Sequence, residues 1–160
     1  MSGERPLPGG LVIRPAAEED VARIERLVLE VVREVYGNLV PEETPRPDGN
    51  WRCGVVAEID GLIAGVVVAD GDWVEDLWVA RAYRNRGIGG VLLTAAERQI
   101  AACDYAKGRL RVVADNLDAR RFYGARGWVE TVSYPHETWG FLMCEMAKTL
   151  AATNNGMGHR

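Results

Sequence analysis

The chain has 160 residues, of which 48% are hydrophobic and 26% charged, and its formal net charge is −4. This is the composition of one ordinary globular domain, so we expect a single domain over 1–160 with flexible ends at 1–10 and 150–160. The acidic balance argues against a nucleic-acid partner. No apolar run approaches the ~20 residues that cross a bilayer, and the N-terminus does not resemble a signal peptide, so we expect a cytoplasmic protein without a membrane partner.

The first part of the chain predicts a strand, a long helix and a loop. The apolar run 11–13, ended by Pro15, is typical of a short strand. Apolar residues then recur at helical spacing over 21–35, behind three acidic residues that suit a helix N-terminus, and Gly37 favours a stop. Three prolines within 38–50 predict a loop.

Three strands follow, separated by two tight turns. Asp60-Gly61 and Gly71-Asp72 are turn pairs between β-rich runs. Asp-Gly in such a position is a strong hairpin signal. The predicted strands are 51–59, 62–69 and 73–80.

The second half of the chain alternates helices and strands. The pattern of apolar residues predicts helices at 87–106 and 117–125 and a strand at 110–114. It also predicts a terminal hairpin of strands at 127–132 and 138–146. The order β-α-β-β-β-α-β-α-β-β indicates an α/β protein in which helices cover a mixed sheet.

The cysteines and histidines do not form a metal-binding pattern. Cys53, Cys103 and Cys144 are widely spaced and contain no CxxC pair, and His136 and His159 are isolated. We therefore expect reduced thiols and no metal cofactor.

The most informative segment is 76–90, which predicts a strand, a tight loop and the start of a helix. Its three glycines allow the backbone to approach a ligand closely, and the helix that follows offers unpaired N–H groups and a partial positive charge. Arg84 and Arg86 add formal charges to the loop. The segment therefore predicts a pyrophosphate site.

Two familiar phosphate-binding loops are excluded by the residues around these glycines. A Walker A loop continues as Gly-Lys-Ser/Thr, whereas Gly90 is followed by Val91. A dinucleotide-binding GxGxxG follows the first strand, whereas Gly87-Ile88-Gly89 follows the fourth and has Leu92 in place of the third glycine.

The segment resembles the acetyl-CoA signature of the GNAT superfamily, which is Gln or Arg, two residues, Gly, any residue, and Gly or Ala. Here the signature is Arg84-x-x-Gly87-x-Gly89. The family's second signature, Asn, Ala, Phe/Leu-Tyr and Gly-Phe, is matched in order by Asn116, Ala119, Phe122-Tyr123 and Gly127-Trp128. The resemblance covers 12–148 and is strongest over 76–128. It implies the GNAT fold, a mixed, mostly antiparallel sheet of six to seven strands flanked by helices.

The resemblance also implies an N-acetyltransferase with acetyl-CoA as its donor. The N–H groups of residues 86–90 are implied to hold the pyrophosphate, and the strand 77–79 to bind the pantetheine arm through main-chain atoms. Asn116 is implied to contact the same arm, although an asparagine at this position also suits a helix cap. The implied cofactor-binding residues are Leu77, Trp78, Val79, Arg84, Asn85, Arg86, Gly87, Ile88, Gly89, Gly90, Asn116 and Tyr123.

For the catalytic step, the resemblance implies that Tyr123 protonates or hydrogen-bonds the departing thiolate and that the Val79 N–H faces the thioester oxygen. An amine with a lysine-like pKa is neutral in only ~1 molecule in 10³ at pH 7, so a base assists its attack. Glu75 and Asp76 are the best-placed carboxylates, and the sequence does not choose between them.

The acceptor is left open between small-molecule and peptide amines. Arg111 stands where relatives that acetylate protein N-termini have a glutamate, which disfavours a peptide N-terminus as acceptor. Residues that suit an acceptor pocket, of which His136 is also an alternative base, are Tyr36, Trp73, Tyr134, His136 and Trp139. The alternative to catalysis is a noncatalytic acyl-CoA-binding module of the same fold. Relatives commonly form homodimers, and the sequence leaves the oligomeric state open.

Overall fold

The computed structural model describes residues 7–37 and 49–150. The expected flexible ends therefore lie outside the described residues at 1–6 and 151–160, as does most of the predicted loop, at 38–48. Leu150, which the sequence assigned to a flexible end, is buried, and its N–H donates to the Ala106 carbonyl at 2.8 Å.

Within these residues, seven strands and three α-helices follow one another in the predicted order. The strands are β1 (Leu11–Pro15), β2 (Val55–Ile59), β3 (Leu62–Asp70), β4 (Trp73–Val79), β5 (Lys107–Val113), β6 (Val129–Pro135) and β7 (Leu142–Thr149). The helices are α1 (Val21–Tyr36), α2 (Ile88–Ala102) and α3 (Leu117–Gly124). The sheet order is β1-β2-β3-β4-β5-β7-β6, with β5 parallel to β4 and antiparallel to β7. The predicted α/β class and its mixed, mostly antiparallel sheet are confirmed.

The described chain divides into two compact units. The first consists of the residues up to 69 together with 76–96, and the second of 70–75 together with the residues from 97 onward. In the first unit, α1, β2, β3 and the segment before β2 together form one buried cluster; its members are Ile24, Leu27, Val28, Val31, Trp51, Val56, Val66 and Val68. The buried side chains of the second unit include Ile100, Leu110, Val112, Trp128, Cys144 and Met146.

The predicted hairpin turn between β2 and β3 is confirmed by its backbone. Asp60 has φ 50° and Gly61 has φ 82°. Two consecutive positive φ angles are typical of the two-residue turn whose twist matches that of its strands.

Several predicted element boundaries are wrong; one is the start of β5, which lies at Lys107 and not at residue 110. The strand predicted from residue 51 begins at Val55, because Trp51–Cys53 forms a 3₁₀ turn that buries the Trp51 ring. The helix predicted to continue to 106 ends at Ala102, since Asp104 adopts a left-handed φ of 68°. The last two strands are shifted toward the C-terminus, because their turn closes with a Gly140 N–H that donates to the His136 carbonyl.

A buried carboxylate fastens the start of α1 to β1. Asp20 is fully buried, and its oxygens accept from Arg14 at 2.7 and 3.0 Å, from Arg23 at 2.6 Å and from the Ala17 N–H at 2.7 Å. Arg14 also donates to Glu58 at 2.8 Å. These bonds, chiefly those from Arg14, hold the pKa of Asp20 far below its usual range.

Candidate active site

The loop between β4 and α2 turns on two residues with positive φ. Asn85 has φ 64° and Gly87 has φ 83°, in the left-handed region that glycine enters freely and asparagine tolerates. Arg86 and Gly87 are exposed, whereas the Ile88 side chain is buried. The exposed part of the loop therefore lies directly at the N-terminus of a 15-residue helix whose first side chain is anchored in the core.

The first N–H groups of this helix are not used within the described protein. The first amide in the helical hydrogen-bond pattern is that of Val91, which donates to the Gly87 carbonyl at 3.1 Å. The N–H groups of residues 86–90 donate to no acceptor among residues 7–37 and 49–150. Unpaired amides and the helix dipole together favour an anion at this position.

Arg84, which the sequence assigned to the loop's positive charge, bonds within the first unit. Its Nη1 and Nη2 donate to the Glu34 carboxylate of α1 at 2.8 and 2.9 Å, and its Nε donates to the Val79 carbonyl at 3.1 Å. The guanidinium lowers the pKa of Glu34. Arg84 thus ties the end of β4 and the loop to α1, whereas Arg86 forms no ion pair within the described part of the chain.

Alternate residues at the end of β4 point their backbone N–H and C=O groups toward β3. The Ala80 N–H donates to the Ala64 carbonyl at 2.8 Å, and the Trp78 carbonyl lies 2.9 Å from where a Cβ on Gly65 would be. Because successive residues of a strand point their N–H and C=O groups to opposite edges, Leu77 and Val79 direct theirs away from β3.

The two candidate bases on β4 have different partners. Asp76 Oδ1 accepts from Trp78 Nε1 at 2.9 Å, and the Trp78 ring meets Tyr36 edge-on with centroids 6.4 Å apart. Glu75 is exposed, and its Oε2 lies 3.6 Å from Arg111 Nη2. The structure therefore brings Glu75 together with Arg111, and Asp76 together with Trp78 and Tyr36.

The second signature lies on and around α3. Asn116 precedes the helix, and its Oδ1 accepts from the Ala119 N–H at 3.1 Å, so the asparagine is a helix cap. Tyr123 is half-buried, and its ring meets Trp128 at a centroid distance of 6.2 Å. Trp128 is buried and donates through Nε1 to Glu97 at 3.0 Å. Part of the signature thus has a structural role in the second unit.

Trp73, one of the residues assigned to an acceptor pocket, lies against two arginines. The Arg109 and Arg111 Cζ atoms are 4.2 and 4.4 Å from the centroid of its ring. The sequence singled out Arg111 but missed Arg109 and its partner Asp72, which form a bidentate pair. No sequence signal relates these residues, because β4 and β5 are far apart along the chain.

His136 and Trp139 belong to an aromatic cluster in the β6–β7 turn, whereas Tyr134 is half-buried on β6. The His136 ring stacks on Trp139 with centroids 4.8 Å apart and packs at a tilt against Phe141, which sequence reasoning missed, with centroids 4.9 Å apart. Its Nδ1 accepts from the Thr138 and Trp139 N–H groups at 3.1 and 3.3 Å. Because this nitrogen is occupied by the turn's own backbone, the geometry does not favour it as a base.

The part of the chain that the structure describes holds neither a candidate metal site nor a candidate membrane span. Residues 7–37 and 49–150 contain no group of three or more His, Cys, Asp or Glu side chains that could hold a metal ion. None of the helices described is both long and apolar enough to cross a membrane. Cys53 and Cys103 are exposed, Cys144 is buried, and all three are free thiols.

Comparison with known proteins adds an independent line of evidence. A sequence model of the acetyltransferase (GNAT) domain matches residues 46–150. An uncharacterized N-acetyltransferase from Methanocaldococcus jannaschii is 33% identical, with 74% of this chain and 78% of that protein covered. The structure of YncA from Salmonella typhimurium with its cofactor acetyl-CoA has a TM-score of 0.72 at 18% identity, covering 91% of this chain and 96% of that one. A ribosomal-protein-alanine N-acetyltransferase from Brucella melitensis has a TM-score of 0.71 at 19% identity, covering 87% and 99%.

The fold, the glycine-rich loop and these matches define an acetyltransferase. The chain belongs to the GNAT superfamily, as its two signatures implied, and it is an N-acetyltransferase. Both signatures lie within the matched residues 46–150. The solved structures, at 18% and 19% identity, establish the shared fold.

Proposed function

We propose that the protein transfers the acetyl group of acetyl-CoA to a primary amine by direct attack in a ternary complex. The observation that carries this proposal is the start of α2, where the N–H groups of residues 86–90 have no partner among the described residues. A diphosphate provides the anionic oxygens that such amides and a helix dipole bind. Arg86 adds a formal charge beside them, and Arg84 holds the loop in place through Glu34.

The remaining cofactor contacts are assigned to β4 and α3. Leu77 and Val79 direct their backbone groups away from β3, as hydrogen bonds to the pantetheine amides require. Asn116 is assigned to the pantetheine arm in addition to its capping role. The other members of the proposed set are Trp78, Asn85, Ile88, Gly89, Gly90 and Tyr123. The backbone groups of Leu77, Val79 and residues 86–90 fit a CoA thioester, because the main polar groups of that cofactor are phosphates and amides.

The proposed reaction conserves protons as follows. The ammonium form of the acceptor gives one proton to a carboxylate, Glu75 or Asp76, and its nitrogen attacks the thioester carbon. The N–C bond forms, the C–S bond breaks, and the nitrogen and the carboxylate each release one proton to solvent. Tyr123 donates a proton to the leaving sulfur and regains one from solvent. Since a phenol has a pKa of about 10 and a thiol about 8.5, the hydrogen bond from Tyr123 contributes alongside proton transfer.

A matched pair of glycine variants tests the cofactor site. Gly87 and Gly140 both have positive φ in exposed loops, at 83° and 77°. We expect Gly87→Val to weaken CoA binding more than about tenfold, because valine disfavours this backbone and narrows the approach to the loop amides. Gly140→Val imposes the same backbone strain in the β6–β7 turn and is expected to leave CoA affinity unchanged. Calorimetric titration with CoA measures both, and thermal unfolding reports their folding.

Two results would contradict the proposal. Unchanged CoA affinity in Gly87→Val would remove the loop from the cofactor site. CoA binding without release of free CoA from acetyl-CoA, across amino acids, polyamines and peptides, would instead favour the noncatalytic acyl-CoA-binding alternative.

A further inference from the structure

One tryptophan and two arginines form a stack on the second unit. The Trp73 ring on β4 has the guanidinium carbons of Arg109 and Arg111 at 4.2 and 4.4 Å from its centroid. The two arginines are alternate residues of β5 and therefore share one face of that strand. Cation–π contacts with the ring restrict the orientation of both guanidinium groups.

The two arginines differ in how their donors are used. Arg109 donates through Nε and Nη2 to Asp72 at 2.7 and 3.0 Å. The fork of parallel N–H donors on this edge of its guanidinium group is therefore occupied. Arg111 has its ion pair with Glu75 at 3.6 Å, beyond hydrogen-bond distance, and makes no hydrogen bond to any residue the structure describes. Its side chain is 46% exposed. Arg111 is thus oriented by the ring while its five N–H donors remain available.

Acidic residues on β4 and β7 neighbour Arg111. Glu75 lies beside it with its side chain 37% exposed. Glu145 is directly opposite Arg111 on β7. An exposed guanidinium next to an exposed carboxylate is complementary to a ligand that carries a carboxylate and an ammonium group close together.

We propose that Arg111 and Glu75 together recognise the free α-amino acid class of acceptor, in which the reacting amine and a carboxylate are attached to one carbon. This inference rests on the proposed function and names its acceptor class. Arg111 binds the acceptor carboxylate through two parallel N–H···O bonds, and Glu75 accepts an N–H from the ammonium group. The long Arg111–Glu75 contact is replaced by shorter bonds to both charges of the acceptor.

Other amines complement this pair less well. The amine of a peptide N-terminus is followed by a neutral amide, which leaves the Arg111 fork without an anion. A lysine side chain within a peptide carries no carboxylate near its nitrogen. A polyamine carries no carboxylate, so it also leaves the Arg111 N–H donors without an anion.

The test compares the standard α-amino acids that have a primary α-amine with their α-carboxamides, using kcat/KM from release of free CoA. The amide keeps the amine and replaces the carboxylate by a neutral group of similar size; because this also lowers the pKa of the amine, the role of Arg111 is read from how the acid-to-amide ratio changes between wild type and variant. We expect the wild type to prefer at least one acid over its amide by about 10- to 100-fold, the range for hydrogen bonds to a charged group. Arg111→Gln is expected to abolish this preference by lowering kcat/KM for the acid alone. Arg111→Lys keeps the charge without the fork and is expected to restore part of the preference.

Arg109→Gln is the matched control, since it removes the neighbouring guanidinium from the same ring. It is expected to lower the melting temperature through loss of the Asp72 pair while keeping the acid-to-amide ratio of kcat/KM. Equal rates for acids and amides, or acetylation of only polyamines or peptides, would overturn this inference and leave the proposed function standing. Failure of every amine to release CoA would overturn both, and CoA titration would then show whether the cofactor site itself is intact.

Discussion

Replacing Asp20 with asparagine is expected to destabilise the protein by about 3 kcal/mol, and the figure follows from the carboxylate's surroundings. The two Asp20 oxygens accept four hydrogen bonds, from the side chains of Arg14 and Arg23 and from the Ala17 N–H. Asparagine keeps the shape but turns one acceptor into a donor that faces other donors. Breaking one partner of a buried ion pair costs about 3–5 kcal/mol. The lower end applies because the Arg23 side chain is 41% exposed and Arg14 retains Glu58.

Urea denaturation followed by tryptophan fluorescence at pH 7 measures this free energy of unfolding. The matched control is Glu18→Gln, because Glu18 also forms a bidentate pair, with Arg52, but both side chains are mostly exposed. Exposed pairs contribute little, so the control is expected to leave the urea midpoint almost unchanged. A loss below about 1 kcal/mol for Asp20→Asn, or an equal midpoint shift in Glu18→Gln, would refute burial as the source of the effect.

Three further predictions follow from the described contacts. Because folding lowers the pKa of Asp20, this carboxylate contributes fully to the free energy of unfolding above its unfolded pKa of about 3.9. That contribution is lost as the pH falls through the folded pKa. The urea midpoint of the wild type is therefore expected to fall more steeply in acid than that of Asp20→Asn. Gly65→Ala is expected to cost about 1–3 kcal/mol in urea denaturation, since its Cβ would lie 2.9 Å from both Leu92 Cδ1 and the Trp78 carbonyl. Gly124→Ala meets nothing within 4 Å, and an equal loss there would exclude crowding as the cause. Tyr123→Phe is expected to lower kcat by about 10²-fold or more and, because phenylalanine keeps the ring, to change CoA affinity far less; an unaltered rate of CoA release would remove the phenol from the mechanism.

The elements that the sequence predicted well depend on local physics. The helical spacing of Ile24, Leu27, Val28 and Val31 identified the face of α1 that is buried. Asp60-Gly61 identified the β2–β3 turn, because few other pairs adopt two positive φ angles. Trp51 shows the limit of such reasoning. Its aromatic side chain favours a strand locally, but packing into the α1 core places it in a 3₁₀ turn.

The residues around the glycine-rich loop show a similar division. The glycines in the sequence predicted where the backbone turns, because glycine readily adopts a positive φ such as that of Gly87. The partner of Arg84 was not predictable, because Glu34 lies on α1, far away in the sequence. A sequence motif therefore shows where a charged arginine stands, but not which carboxylate this arginine binds.

The two substrates of an N-acetyltransferase differ in how well their sites can be predicted from the sequence. The cofactor is assigned to backbone amides at one helix start and one strand, so its signature is contiguous and glycine-rich, and it can be recognised from the sequence. The acceptor is assigned to side chains, and those that meet in the second unit come from β4 and β5, which are joined only through the fold. In the sequence, Arg111 was notable only because it stands where relatives that acetylate protein N-termini have a glutamate. Beside Trp73 and Glu75 it is an oriented guanidinium next to a carboxylate, and we propose that this pair recognises the acceptor.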